Sequence, residues 1–140
     1  MPAKPGSRSP LDGAHLGPPV LVVRDLTRAT EFARVVLGFE IAEQDSAGTV
    51  LTMGDAMVLL VTVESGETLL GGRRPGSGDS AHPPLVMNIF VEDVEGALEN
   101  ARLHGAEVLV EVMDRPWGRR TAHILDPDGY VWEFSRALTP

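Results

Sequence analysis

Carboxylates, imidazoles and hydroxyls are the groups left to do chemistry in this sequence. It has no cysteine among its 140 residues, and Lys4 is its one lysine. A thiolate nucleophile, an iron–sulfur cluster, Cys-ligated zinc and any disulfide are therefore excluded. No lysine is placed for a Schiff base or a phosphate loop. Of the four histidines, His15 and His82 lie beside Gly or Pro outside the apolar runs and read as solvated loop residues. His104 ends a helical pattern, where a partly positive imidazole suits the exposed carbonyls. His123 differs. Strand alternation puts Thr121, His123 and Leu125 on one face and the small apolar pair Ala122 and Ile124 on the other. That pair suits packing on a helix, which turns His123 to the open side. There it is an acid–base or hydrogen-bonding residue, a lone metal ligand beside Glu133, or a half-buried histidine with ordinary partners. In VWEFS the same alternation groups Val131, Glu133 and Ser135 against Trp132 and Phe134.

These residues need elements to position them, and the chain supplies the elements twice. VLVVRDLTRATEFARVVLGFEI and NIFVEDVEGALENARLHGAEVL open two similar halves. Aligning Asp25 with Asp93 also pairs Val23 with Val91, Ala29 with Ala97, Ala33 with Ala101 and Arg34 with Arg102. A one-residue slip then matches Gly38 to Gly105. Such a half-length repeat takes precedence over local propensity. Each copy starts with a short apolar run (20–23; 85–91), expected to be a strand buried on both faces or nearly so. Asp25 and Asp93 then stand as N-caps of helices expected over 27–37 and 94–104. Ala29, Phe32, Ala33 and Val36, and in the second copy Ala97, Leu98 and Ala101, mark the packed faces. Gly38 and Gly105 stop the helices. Three strands follow in each half, over 39–43, 48–53 and 56–63, then 107–113, 120–125 and 131–135. The turn Asp126-Pro127-Asp128-Gly129 is a strong break between the last two. The fold class is α+β, with tandem βαβββ modules at 18–63 and 85–136 in one domain spanning 18–136.

Two stretches fall outside this plan. Residues 1–17 are rich in Pro, Gly and Ser and read as a mobile tail with no signal-peptide core, so the expected location is cytoplasmic. Residues 64–84 are too rich in Gly and Pro for a regular element and read as an inter-module linker. Within it, GGRRPGSGDS lacks the Gly-Lys-Ser/Thr ending of a phosphate loop, though Arg73 and Arg74 could reach a ligand. The net charge is −8, from 12 basic and 20 acidic residues, with no basic stripe to hold nucleic acid. No apolar run is long enough for a membrane span. The expected partners are a small-molecule ligand and a second copy of the chain, with no nucleic acid and no membrane.

Three segments, VVRDLTRATEFARVVLG, VEDVEGALENARLHG and RPWGRRTAHILDPDGYVWEFS, give the chain a likeness to a known family. It resembles the vicinal oxygen chelate superfamily, which includes glyoxalase I, bleomycin-resistance proteins and extradiol dioxygenases. The resemblance covers residues 18 to 136. It implies two βαβββ modules in a cupped, incomplete barrel-like sheet around a cleft, with two chains assembling the sites. Metal-dependent members carry a His or Gln seven residues before each strand–helix Asp and a Glu in each last strand. The corresponding positions here are Pro18, Val86, a residue within 58–60 (VLL), and Glu133. Only Glu133 can ligate, so no metal or other cofactor is expected, and a divalent ion would need an unusual ligand set.

If positions 18 and 86 face the cleft, so do Val20, Val22, Asn88 and Phe90. The expected lining is apolar with polar points at Asn88, Thr121, His123, Glu133 and Ser135, the composition of a small-molecule pocket. Glu133 is either an anchor for a cationic or hydroxylated ligand, a carboxylate of raised pKa, or a structural partner of a nearby arginine. Trp117, flanked by arginines, either stacks on a flat ligand or plugs the core or a dimer contact. The resulting expectation is a binder of a drug-sized molecule, of the antibiotic-sequestering kind. The alternative is a lyase, isomerase or dioxygenase using Glu133 and His123.

Overall fold

A computed structural model describes residues 9–76 and 85–139; His82, residues 1–8 and residues 77–84 of the linker lie outside them. The described chain forms β1 (Val20–Val23), α1 (Leu26–Val35), β2 (Glu40–Gln44), β3 (Gly48–Met53) and β4 (Ala56–Thr62). It continues with α2 (Val63–Leu69), β5 (Val86–Phe90), α3 (Val94–Leu103), β6 (Glu107–Asp114), β7 (Arg119–Leu125) and β8 (Val131–Ala137). Two four-stranded sheets result, ordered β1-β4-β3-β2 and β5-β8-β7-β6. The first and last strands of each module pair in parallel and the others antiparallel. The order is the same in both modules, and the two sheets do not close into a barrel.

The repeat extends to single hydrogen bonds. Asp25 Oδ1 accepts the Arg28 amide at 3.0 Å and Asp93 Oδ1 accepts the Gly96 amide at 2.9 Å. Each carboxylate thus satisfies a first-turn donor that the helix itself cannot. The one-residue slip has a local cause at the other end. The Ala33 carbonyl accepts the Phe39 amide, whereas its counterpart on Ala101 accepts the Ala106 amide. The first helix therefore spends one extra residue on its closing turn. Gly38 (φ 84°) and Gly105 (φ 79°) supply the left-handed residue both turns need.

Helices α1 and α3 each cover one face of their own sheet, and the two covered faces share a core. Leu21, Val23, Leu51 and Leu60 belong to it from the first sheet, and Ile89, Ile124, Trp132 and Phe134 from the second. Phe39 meets Trp132 edge-on, with ring centroids 5.8 Å apart. Asn100 of α3 donates to the Val35 carbonyl at 3.0 Å. The Asp126–Gly129 turn also docks on the first module. Asp128 accepts the Arg24 amide at 2.8 Å, and Tyr130 donates to the Val22 carbonyl at 2.9 Å. This turn, the most distinctive part of the sequence, is thus an inter-module clamp.

Two expectations are corrected. Residues 64–84 are not wholly irregular, because Val63–Leu69 is helical and capped by Thr62, whose hydroxyl accepts the Ser65 amide. Gly66 is no breaker there. A Cβ on it would stand 2.8 Å from Val22 Cγ2, so glycine lets α2 lie directly on β1. Nor are β1 and β5 buried on both faces. Their residues alternate, leaving Val20, Val86 and Phe90 exposed on the faces away from α1 and α3.

Candidate ligand-binding face

The open face of the second sheet carries the expected polar residues in adjacent rows. Register places Asn88 beside Glu133, and Glu133 beside His123, across β5, β8 and β7. The next row is Phe90, Ser135 and Thr121. His123 Nε2 and Glu133 Oε1 lie 2.8 Å apart, with the side chains 12% and 17% exposed. Glu133 therefore engages a histidine, not an arginine. With Nε2–H donated to the carboxylate, the other ring nitrogen is the acceptor. That atom, Nδ1, is buried and has no hydrogen-bond partner. Asn88 is exposed beside the pair, and Phe90 is 75% exposed.

Thr121 and Ser135 are buried because two arginines lie over them. Arg115 Nε donates to Thr121 Oγ1 and Arg119 Nε to Ser135 Oγ, both at 2.9 Å. Arg119 also stands over the Phe90 ring, 4.7 Å from its centroid, and Arg115 over Trp117 at 5.7 Å. Trp117 is 69% exposed and so does not plug the core. Both arginines are absent from the expected lining. Arg119 was within reach of the alternation rule, since it shares parity with Thr121 and His123 in a strand that begins one residue earlier than expected. Arg115 precedes the strand and reaches the face from a turn, which no periodicity reports.

The first sheet presents apolar residues or glycine at the matching positions, with Glu43 of β2 next in the row beyond Val50. Val20, Leu59 and Val50 pair across β1, β4 and β3 as Asn88, Glu133 and His123 do in the second module. Val22, Val61 and Gly48 form the next row. A hollow of about 440 Å³ lies over this wall, bounded by Val50, Leu59 and Val61, by Thr68 and Leu69 of α2, and at its β2 end by Glu43 and Asp45. A larger recess, about 680 Å³, opens between α1 and the β7–β8 turn. Four of its polar side chains are already engaged, while Thr27, Arg28 and Glu107 also line it. Asp25 caps a helix, Glu31 holds Arg34, His104 Nδ1 meets the Asn100 carbonyl, and Asp126 accepts three bonds. His104 is thus a helix-end residue, and His15 is exposed outside β1.

The metal positions implied by the resemblance do not fit a metal. Leu59, the structural counterpart of Glu133, lies within the expected 58–60. Pro18, Val86 and Leu59 offer no ligating atom in their side chains. Among the described residues no group of three or more His, Asp or Glu could hold an ion. Among them also, no helix is long and apolar enough to cross a membrane.

A sequence profile of the Glyoxalase/Bleomycin resistance protein/Dioxygenase superfamily matches residues 14–134, and the chain belongs to that superfamily. Solved structures agree on the fold. A glyoxalase/bleomycin resistance protein/dioxygenase from Nocardioides is 18% identical, with TM-score 0.72 over 91% of this chain and 89% of its own. A protein of unknown function from Agrobacterium tumefaciens is 23% identical, with TM-score 0.77 over 90% and 96%. TioX from Micromonospora sp. ML1 is 22% identical, with TM-score 0.65 over 90% and 98%. No curated protein matches. At these identities the likeness carries the fold alone, and function rests on the site.

Proposed function

We propose that the protein binds a drug-sized small molecule between the open faces of its sheets, without the usual metal of the superfamily. The observation that carries this reading is the pairing of one apolar wall with one wall of ordered polar groups on an aromatic-edged surface. Apolar area supplies affinity in such a pocket, and a few fixed polar groups supply orientation. Val20, Val86, Phe90 and Trp117 together expose more apolar side chain on these faces than a chain alone in water would favour. A homodimer that sets the first-module wall of one copy against the second-module wall of another would cover them and enclose the ligand. Sequestration of a cytoplasmic antibiotic fits such a protein.

The test is a thermal-shift screen with glycopeptide, aromatic polyketide and enediyne-like compounds, with light scattering to read the mass. A ligand at 100 times its Kd would add about 2.7 kcal/mol to stability. The reading fails if no compound stabilises the protein and the mass is that of one 15.0 kDa chain.

The His123–Glu133 pair favours one second reading, a lyase or isomerase of the same superfamily. A carboxylate that orients an imidazole and leaves its other nitrogen unpartnered is a workable general-base arrangement. Turnover of a hemithioacetal that His123→Gln abolishes would establish it and displace the binder.

A further inference from the structure

We infer that Arg115 and Arg119 form a receptor for an oxyanion on the ligand, which is therefore an acid with a flat apolar body. The inference rests on reading the open face of the second sheet as the ligand wall. Thr121 and Ser135 are direct neighbours across β7 and β8. Such neighbours have Cα atoms about 4.5–5.5 Å apart. Their hydroxyls take one Nε–H from each arginine, so two guanidiniums are anchored side by side.

Among the described residues neither arginine makes an ion pair, and none accepts a bond from their Nη atoms. The nearest acid on this face, Glu133, is held by His123. Elsewhere Arg24, Arg34, Arg102 and Arg120 find carboxylates, whereas Arg28 and Arg136, like these two, make no ion pair among the described residues. What sets Arg115 and Arg119 apart is that both are anchored on one face. Two cations fixed together without a counter-charge repel each other, and that cost falls when an anion bridges them.

The anchoring also leaves the right donors free. With Nε engaged, each guanidinium keeps its outer N–H groups for a carboxylate or phosphoryl oxygen, the geometry arginine offers best. The rings of Phe90 and Trp117 hold the guanidinium planes and extend the surface sideways. They would receive a flat apolar body attached to the acid. The acidic surface as a whole would attract cations, but these two residues select an anion locally.

Isothermal titration with 2-naphthoate, 2-naphthyl phosphate and the neutral isostere 2-naphthamide tests the assignment on the intact chain. At least one acid should bind about tenfold or more tighter than the amide, and salt should weaken that preference. Which acid is preferred distinguishes a carboxylate receptor from a phosphoryl one. Arg115→Gln with Arg119→Gln should bring acid and amide to equal affinity. Arg115→Lys with Arg119→Lys should retain part of the preference.

Amide binding equal to or tighter than both acids in the wild type would overturn the receptor and leave the pocket standing. So would a preference that survives in the glutamine variant. Binding by none of the three probes would sink the receptor and remove support from the ligand wall itself. The wild-type comparison decides the matter even if a variant fails to fold.

Discussion

His123 gives one ring nitrogen to Glu133 and keeps the other buried without a partner. A half-buried, charge-assisted bond of this kind is worth more than a surface pair. A double-mutant cycle with His123→Ala and Glu133→Ala should return a coupling of about 1–2 kcal/mol in urea denaturation. A coupling near zero would mean that the two side chains merely adjoin. Asp126 offers a second test at this scale. Burial pushes its carboxyl above the ordinary range, although Trp132 Nε1 and the amides of Asp128 and Tyr130 all donate to it. A folded-state pKa raised in this way adds most to stability below the unfolded value, near pH 3.9, and the contribution is lost as pH rises through the folded value. Asp126→Asn sets an amide N–H against the indole N–H and should be less stable throughout. The gap in Tm between the two proteins should be widest near about pH 3 and narrow toward neutrality. A gap that widens with pH would reverse the assignment.

Helix α2 and the β7–β8 turn do the positioning. Gly66→Ala puts a methyl against Val22 and Pro75, and overpacking of this sort costs about 1–3 kcal/mol. The measurement is the urea midpoint, and ligand affinity should fall with it, because α2 bounds the hollow over the first sheet. Tyr130→Phe leaves the Val22 carbonyl without its donor and should cost about 1 kcal/mol with the fold intact. How much of this the sequence discloses depends on the signal each element emits. Repetition and alternation are periodic, so the modules, the capping aspartates and the face holding Thr121, His123, Glu133 and Ser135 were all readable. Helix α2 was not. Its Gly66 reads locally as a breaker, and its reason for being glycine lies in Val22, more than forty residues away. Arg115 was hidden for a related reason, since a long side chain reaching out of a turn leaves no pattern behind it. Glu133 was expected on the open face, but only three dimensions show that His123, and no arginine, is its partner.

At the scale of the whole molecule the two modules share a core and cannot be exchanged for each other. Trp132 packs on Phe39 of the other module, and the Asp128 and Tyr130 bonds cross the same boundary. A fragment of residues 85–140 should keep some far-ultraviolet circular dichroism and lose the near-ultraviolet signal of its packed indole. The division of labour between the walls has a genetic consequence. The first sheet is all apolar where the second carries Asn88, Glu133 and His123, so each module holds only half of what a ligand needs. In a dimer that joins unlike walls, a chain with Arg115→Gln and Arg119→Gln and a chain with Leu59→Arg would each lack, alone, a cleft that prefers the acid. Mixed and reassociated, they would rescue each other. Statistical pairing makes half of the dimers mixed, each with one intact cleft and one doubly defective, so roughly a quarter of all clefts would recover.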